Sequence, residues 1–189
     1  MSTEFTKTFH VGRPNIPQKN KLLSKFSEVL DSEWLTNNGP MVTQLEHKIQ
    51  RYLGVKHCVC VCNATIGLEL LQRALDLKGE VIIPSFTFIA TANSLRWQKI
   101  KPVFCDIKAD THLIDPDCIE ELITEKTSAI LAVPIWGQAC DYDKLVKIAK
   151  KHKLRLIFDS AHAFGCKVGE KFIGGFGDAE VFSFHATKV

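Results

Sequence analysis

The feature of this sequence that most restricts its fold is a regular alternation of short apolar runs with amphipathic segments. The apolar runs predict strands at residues 57–62, 80–83, 102–106, 128–133, 154–159 and 179–184. Apolar residues at helical spacing predict helices between them, at residues 66–77, 88–98, 115–122 and 142–152. Strands that are apolar on both faces and separated by helices are typical of a mainly parallel sheet covered on both sides. We therefore predict an α/β fold.

The N-terminal quarter of the chain has a different pattern. Leu22, Leu23, Phe26 and Leu30 recur at helical spacing, and a second amphipathic helix is predicted to follow Pro40. We expect an N-terminal helical segment over residues 1–54 and an α/β domain over residues 55–189.

Composition excludes several classes of protein. The 189 residues are 46% hydrophobic and 24% charged, with a net charge of +3 and interleaved signs, so neither nucleic acid nor a membrane surface is an expected partner. No run is apolar for long enough to span a bilayer, and residues 1–10 lack the apolar stretch of a signal peptide. Seven scattered cysteines suit a reducing cytosol, so we expect a cytoplasmic protein.

Cys58, Cys60 and Cys62 alternate with valines and are predicted to project from one face of a strand. A metal site is one interpretation, but no CxxC spacing accompanies these residues. Buried small side chains are the favoured interpretation.

Polar and reactive side chains collect just after the predicted strands. In open α/β sheets, ligands bind in the crevice beyond the carboxyl ends of the strands. The segments at these ends are residues 63–65, 85–88, 106, 136–138, 159–162 and 183–188. These segments contain hydroxyls, a helix N-terminus, an aromatic ring, a carboxylate, a histidine and a lysine, a set that can hold a phosphorylated aromatic ring that reacts with an amine.

Three of these positions have competing interpretations. Thr65, at the start of a helix, suits either phosphate binding or an ordinary helix cap, and no GxGxxG or GxxxxGKS/T motif supports a dinucleotide or P-loop site. Asp159 ends an apolar run, so it needs a partner, which a protonated pyridine nitrogen, a helix N-terminus or a metal would supply equally well. Asp159, His162 and Cys166 together are only weak evidence for a zinc site. Lys188 in isolation would be a surface charge, but its neighbours favour a functional role.

Four segments in this chain resemble motifs of the DegT/DnrJ/EryC1/StrS aminotransferases. They are WLTNNGP at 34–40, PSFTFIAT at 84–91, DSAHAFG at 159–165 and GDAEVFSFHATK at 177–188. They stand in the family's order with similar spacing, and the resemblance covers nearly the whole chain. It implies the large domain of a fold-type-I enzyme that uses pyridoxal 5'-phosphate, usually as a homodimer, to aminate nucleotide-linked keto-sugars.

The resemblance also implies roles for individual residues. Lys188 would bond the cofactor covalently and later move the proton, while Asp159 would pair with the pyridine nitrogen. Phe88 would stack on the ring, and His162 would lie near the ring hydroxyl. The phosphate would be held by Ala64, Thr65 and Ser183.

The finer resemblance concerns the substrate. Residues 11–17 (VGRPNIP) and the segment around Trp34 are most similar to members that make 4-amino-4,6-dideoxy sugars from dTDP-4-keto-6-deoxyglucose, with glutamate as the expected amino donor. A sugar dehydratase of the same family, which uses pyridoxamine phosphate, is disfavoured because such members carry histidine in place of Lys188.

The chain stops one residue after Lys188, whereas family members continue with further strands and a small C-terminal domain. We therefore expect an incomplete large domain, of marginal stability and without full transaminase activity. A non-catalytic relative that binds the cofactor weakly, or serves only as a dimer partner, is the alternative from another functional class.

Overall fold

The computed structural model describes Ile16 and residues 18–188. The segment at 11–17 that resembles the dTDP-sugar enzymes therefore lies outside the described residues, apart from Ile16. The helices are α1 (Lys19–Asp31), α2 (Pro40–Leu53), α3 (Ala64–Ala74), α4 (Ile89–Trp97) and α5 (Tyr142–His152). The strands are β1 (Glu80–Pro84), β2 (Lys101–Cys105), β3 (Thr127–Ala132), β4 (Arg155–Asp159), β5 (Lys167–Val168), β6 (Lys171–Phe172) and β7 (Ala179–Val181).

Five strands form one sheet in the order β2-β1-β3-β4-β7, and every neighbouring pair is parallel. The three central strands are almost wholly buried, as the continuous apolar runs require. The connection through α4 leads from β1 to β2 on one side, and the chain then returns to place β3 on the other side of β1. In open α/β sheets, such a reversal of strand order marks the place where ligands bind, here at the carboxyl ends of β1 and β3.

Helices cover both faces of the sheet. Successive side chains of a strand point to opposite faces, so Asp159 and Phe158 of β4 lie on different sides. Thr91 of α4 hydrogen-bonds Asp159, whereas Tyr142 of α5 packs its ring 4.9 Å from that of Phe158. The predicted α/β fold, mainly parallel with helices on both sides, is therefore confirmed.

The local sequence accounts for the ends of several helices. Asn63 and Asp141 accept hydrogen bonds from backbone N–H groups in the first turns of α3 and α5. Pro40 occupies the first turn of α2, and Gly54, with φ 68°, ends that helix in the left-handed conformation. α1 and α2 lie within the predicted N-terminal segment 1–54, and the division of the chain at residue 54 stays a prediction.

The strand predicted at residues 57–62 is wrong, because this segment joins no sheet in the described part of the chain. Alternating valines and cysteines suit a strand, but a strand also needs a neighbour for its backbone groups. Here the Cys60 N–H donates instead to the Glu46 carboxylate, at 2.7 Å. The cysteines are not buried as predicted either, since Cys58 and Cys60 are half-buried and Cys62 is exposed.

Two smaller differences have local causes. The helix predicted at 115–122 is replaced by two 3-10 turns, Pro116–Cys118 and Glu120–Leu122, whose backbone bonds close over three residues instead of four. The strand predicted at 179–184 ends at Val181, and the β5–β6 hairpin was not predicted at all.

Candidate functional site

A buried carboxylate lies at the carboxyl end of β4. Asp159 is only 6% exposed. Its Oδ2 accepts a hydrogen bond from the Thr91 hydroxyl at 2.7 Å, and its Oδ1 accepts one from the Ala161 N–H at 3.3 Å. The Thr91 hydroxyl is in turn 2.8 Å from that of Thr87. α4 therefore anchors the acid and fixes the direction in which its free lone pairs point.

Burial raises the pKa of Asp159 above its ordinary value, because a carboxylate loses solvation in the interior. The hydrogen bonds from Thr91 and Ala161 and the electrostatic effect of the nearby His162 and Lys188 lower the pKa without cancelling this rise. Among the described residues, no ion pair involves Asp159. The site is therefore suited to a cationic partner that the acid would stabilise.

A helix N-terminus lies near the end of β7. Asn63 caps α3 by accepting from the Ile66 N–H at 2.9 Å, and the first intrahelical bond runs from the Gly67 N–H to Asn63. Within the described residues, this leaves the N–H groups of Ala64 and Thr65 without a protein acceptor. Such groups at a helix start bind anions.

Close contact between α3 and β7 brings Ser183 towards this N-terminus. A Cβ atom at Gly67 would lie 3.0 Å from the Val181 side chain, so the glycine permits the approach of helix and strand. Ser183 follows two residues after Val181, and its hydroxyl accepts from the His185 N–H at 3.3 Å. Ala64, Thr65 and Ser183 are all partly buried.

An amine and an imidazole meet at the same mouth of the sheet. Lys188 Nζ lies 2.5 Å from Nε2 of His162, and Nδ1 of His162 accepts from the Trp136 backbone N–H at 3.2 Å. Burial lowers the pKa of His162, and the charge of Lys188 lowers it further. The imidazole is therefore neutral near pH 7 and lies between the turn after β3 and the lysine.

Phe88 is the N-cap residue of α4 and is 70% exposed. No aromatic partner contacts it among the described residues, so its ring presents an open face on the helix that carries Thr91. Its stacking on a bound ring stays a prediction, as do the individual roles of the other predicted residues.

Sequence reasoning missed two features of this region. Thr91 lies within the segment at 84–91, but nothing in that segment indicated that it bonds an acid 68 residues away. The second is a cluster of three rings, in which Phe86, His112 and Trp136 have centroids 5.4–5.7 Å apart. Phe86 and Trp136 stood in segments that follow strands, whereas no sequence signal singled out His112.

Together these groups provide a buried acid, an amine next to a neutral imidazole, and unpaired N–H donors at a helix start. Such a set can bind an anionic group at one end of a ligand, stabilise a cation at the other and attack a carbonyl between them. Among the described residues, no group of three or more histidine, cysteine, aspartate or glutamate side chains is arranged to hold a metal ion.

Comparison with known proteins gives a consistent result. Residues 17–189 match the DegT/DnrJ/EryC1/StrS aminotransferase family. The chain is 42% identical over 183 residues to dTDP-4-amino-4,6-dideoxy-D-glucose transaminase of Shigella dysenteriae, a match that covers 97% of this chain and 50% of that relative.

Solved structures show the same similarity. The structure of DesI in the presence of its TDP-sugar product superposes with a TM-score of 0.93 and 49% identity, covering 97% of this chain and 47% of DesI. The PLP form of the sugar aminotransferase Spr1654 from Streptococcus pneumoniae gives a TM-score of 0.90 and 32% identity, covering 96% and 50% of the two chains. The chain thus spans about half the length of the curated relatives it matches.

Proposed function

Because the chain belongs to the DegT/DnrJ/EryC1/StrS aminotransferase family, we propose that it holds pyridoxal 5'-phosphate and carries the reactive lysine of a nucleotide-sugar aminotransferase. The observation that carries this proposal is the meeting of acid, amine and helix N-terminus at one mouth of the sheet. The PLP form of Spr1654, which shares this fold, supports the cofactor.

The residues fit the cofactor in chemical terms. Asp159 is a buried carboxylate that has hydrogen-bond donors but no ion-pair partner among the described residues, as expected of a group that pairs with a pyridinium nitrogen. The free N–H groups of Ala64 and Thr65, with the Ser183 hydroxyl, suit a phosphate. Phe88 supplies a ring face, and His162 supplies a polar group beside the amine.

When bound, the cofactor supplies an electron sink that stabilises negative charge on an adjacent carbon. Lys188 would hold the cofactor through its Nζ amine, and the same Nζ would accept and return a proton during the reaction. Asp159 would pair with the ring nitrogen and favour its protonated form, and Thr91 holds Asp159 in place through its hydroxyl. His162 keeps the lysine amine directed into the site.

We further propose a dTDP-linked 4-keto-6-deoxyhexose as the substrate and glutamate as the amino donor. The similarity to the Shigella dysenteriae transaminase and to DesI supports the sugar class. The product would serve the assembly of amino-sugar polysaccharides. A homodimer and a cytosolic location complete the proposal, and seven free cysteines support the second of these. Separately, no described helix has the length and apolar character needed to cross a bilayer.

The test is covalent trapping of the cofactor. Pyridoxal phosphate is added to the chain, the absorbance spectrum is recorded, and borohydride reduction is followed by peptide mapping. We expect a visible band and a label on Lys188, both absent in Lys188→Ala and retained in Lys78→Ala, whose lysine side chain is 75% exposed.

The result of the trapping experiment also distinguishes the proposed aminotransferase site from the non-catalytic alternative. A label on another lysine, or no band in a folded sample, would contradict the proposed site. A label on Lys188 without transfer of an amino group from glutamate to the keto-sugar would favour the non-catalytic alternative for the isolated chain.

A further inference from the structure

We propose that Glu180 is a positioning residue that fixes the short strand β7, and the lysine segment after it, against the end of β4 that carries Asp159. No step of the proposed reaction uses this carboxyl group. The inference deepens the proposed function, on which its purpose rests, but the contacts that carry it lie within the chain and can be tested without the cofactor.

β7 is short and has one strand neighbour, yet it leads directly to two residues of the candidate site. It consists of Ala179–Val181 and pairs only with β4 in the described sheet. Ser183 and Lys188 follow in the same segment. A strand held by so few backbone hydrogen bonds opens easily. The positions of this hydroxyl and this amine therefore depend on whatever else holds β7.

Glu180 lies at the centre of β7 and points away from α3. Side chains alternate between the two faces of a strand, and the Val181 side chain faces Gly67 of α3. The Glu180 side chain therefore lies on the opposite face of the sheet. There it lies near Cys140 and Tyr142, whose pKa values are raised by burial and also by Glu180.

The carboxyl group of Glu180 joins three segments of the chain. Its Oε2 accepts a hydrogen bond from the Ser160 hydroxyl at 2.8 Å. Its Oε1 accepts from the Gly174 N–H at 3.0 Å and from the Phe176 N–H at 3.4 Å. The end of β4, the loop before β7 and β7 itself are thus held by one side chain.

The bond to Ser160 connects Glu180 to the acid of the site. Ser160 directly follows Asp159, is fully buried, and donates its N–H to the Val181 carbonyl oxygen at 2.8 Å. Its hydroxyl and its N–H therefore bind two successive residues of β7, which fixes the register of β7 against the end of β4. Because Thr91 anchors Asp159, the acid keeps its place, and Glu180 determines where the lysine segment lies relative to it.

Two substitutions at Glu180 separate the effect of its hydrogen bonds from that of its size. In Glu180→Gln, the amide oxygen can accept from Gly174 and Phe176, and the NH₂ group can donate to the Ser160 hydroxyl oxygen. Methionine has a similar length but offers no donor and only a weak acceptor. Glu180→Met therefore removes the contacts that Glu180→Gln retains.

Glu80→Met is the matched control. Glu80 is also a largely buried strand glutamate, at the amino end of β1 and so at the end of the sheet opposite the candidate site. Its oxygens accept from Lys101 Nζ at 2.9 Å and from the Thr124 hydroxyl at 2.7 Å. Glu80→Met removes the same kind of contacts, so a general loss of stability affects both methionine variants.

The first experiment measures β7 in the chain without cofactor. Hydrogen exchange with mass spectrometry compares a peptide covering 179–188 with one covering 80–84. We expect Glu180→Met to speed exchange at 179–188 by about tenfold relative to 80–84, because β7 opens more easily. Glu180→Gln should change this ratio little, and Glu80→Met should not raise it. The same ratio in Glu180→Met and in the unsubstituted chain would overturn the inference.

The second experiment measures how the amine is placed. Pyridoxal phosphate is mixed with each variant, and the visible band is followed as Lys188 Nζ bonds the aldehyde carbon and water leaves. At saturating cofactor, we expect the rate constant to fall by about tenfold in Glu180→Met, since the amine is displaced from its position of attack. The half-saturating concentration should change less, because Asp159 and the start of α3 keep their contacts. Glu180→Gln should retain most of the rate, and Glu80→Met should leave it unchanged.

Far-UV circular dichroism confirms that each variant is folded. Equal rate constants for Glu180→Met and the unsubstituted chain, or an equal loss in Glu80→Met, would contradict the positioning role. If Glu180→Met does not fold, Ser160→Ala replaces it in both experiments, since it removes one of the three hydrogen bonds without adding bulk, and the same directions are expected. Absence of a band in the unsubstituted chain contradicts the proposed function instead, and hydrogen exchange alone then decides the role of Glu180.

Discussion

The buried carboxylate of Asp159 lowers the stability of the chain when no ligand is bound. Its carboxylate is buried among a hydroxyl, a backbone amide and apolar neighbours, and no cation among the described residues forms an ion pair with it. A bound cationic ligand would therefore compensate the buried charge of Asp159, which the described residues of the chain do not. Stability and cofactor binding are in conflict at this position.

The pH dependence of the free energy of unfolding follows from the raised pKa of Asp159. The folded chain retains a proton on Asp159 at pH values at which the unfolded chain, with a pKa near 3.8, has released it. The contribution of this group to the free energy of unfolding therefore falls as pH rises through the raised value, and it stays reduced above it. Glu180, whose pKa burial also raises, acts with the same sign.

We predict that Asp159→Asn raises the free energy of unfolding of the cofactor-free chain at pH 7, by about 1 kcal/mol. The amide can still accept from Ala161 and donate to Thr91, while the buried charge is removed. The gain should shrink towards pH 4, and affinity for pyridoxal phosphate should fall. Urea denaturation at both pH values and absorbance titration with the cofactor measure these effects.

Asp178→Asn is the matched control. Asp178 accepts from Arg155 and from the Leu156 N–H, both at 2.8 Å, so its charge is paired. This variant should lose stability at pH 7. The interpretation of Asp159 fails if Asp159→Asn destabilises the chain to the same extent.

At the scale of elements, the loop before β7 determines how the last strand of the sheet docks. Gly177 lies against β4, where an added Cβ atom would approach the Leu156 carbonyl oxygen to 2.4 Å and the Phe158 ring to 2.9 Å. The next residue, Asp178, donates its N–H to the same carbonyl at 2.7 Å. A side chain at Gly177 would therefore push β7, and the segment that carries Lys188, away from the sheet.

We predict that Gly177→Ala lowers the free energy of unfolding by about 1–3 kcal/mol, the usual cost of overpacking. Gly175→Ala, two residues earlier, is the control because its Cβ atom would have 3.7 Å of clearance. Thermal denaturation followed by circular dichroism compares the two. Similar melting temperatures for both variants would show that the contact with β4 does not limit the docking of β7.

The elements also show which parts of the fold can be predicted from sequence. Asp141 and the amphipathic pattern after it define α5 locally, and the predicted helix at 142–152 agrees with Tyr142–His152. The segment at 57–62 has an equally clear strand pattern, but strand formation depends on a neighbour that local sequence does not reveal.

The same distinction applies to the site. The position of Asp159 at the end of an apolar run was visible because strand ends collect ligands. Its bond to Thr91 and the bond from Trp136 to His162 were not, because they join residues 68 and 26 positions apart. Such contacts depend on how helices and turns pack against the sheet.

At the scale of the whole molecule, α1 has one apolar side that no other described residue covers. Leu22, Leu23, Phe26 and Leu30 are between 44% and 64% exposed, and α1 has no buried residue. A surface of this kind is usually covered by another part of the protein or by a partner. It supports the proposed homodimer.

We predict that the chain self-associates with increasing concentration in sedimentation velocity experiments, and that Phe26→Glu with Leu30→Glu shifts it towards the monomer. Ser24→Glu, on the opposite side of α1, introduces the same charge per substitution and should leave association unchanged. A monomer at all concentrations, or equal effects of both kinds of variant, would contradict this role of α1.

The position of β7 at one edge of the described parallel sheet affects the order in which the elements can fold during translation. As the ribosome releases the chain from its N-terminus, β1 to β4 and α4 become available before β7, so the pair of Asp159 and Thr91 can form first. β7, which leads into the lysine segment, then docks onto β4, the single strand neighbour of β7 in the described sheet. A cofactor molecule that arrives during translation would therefore meet the acid first and become covalently held only after Lys188 has emerged.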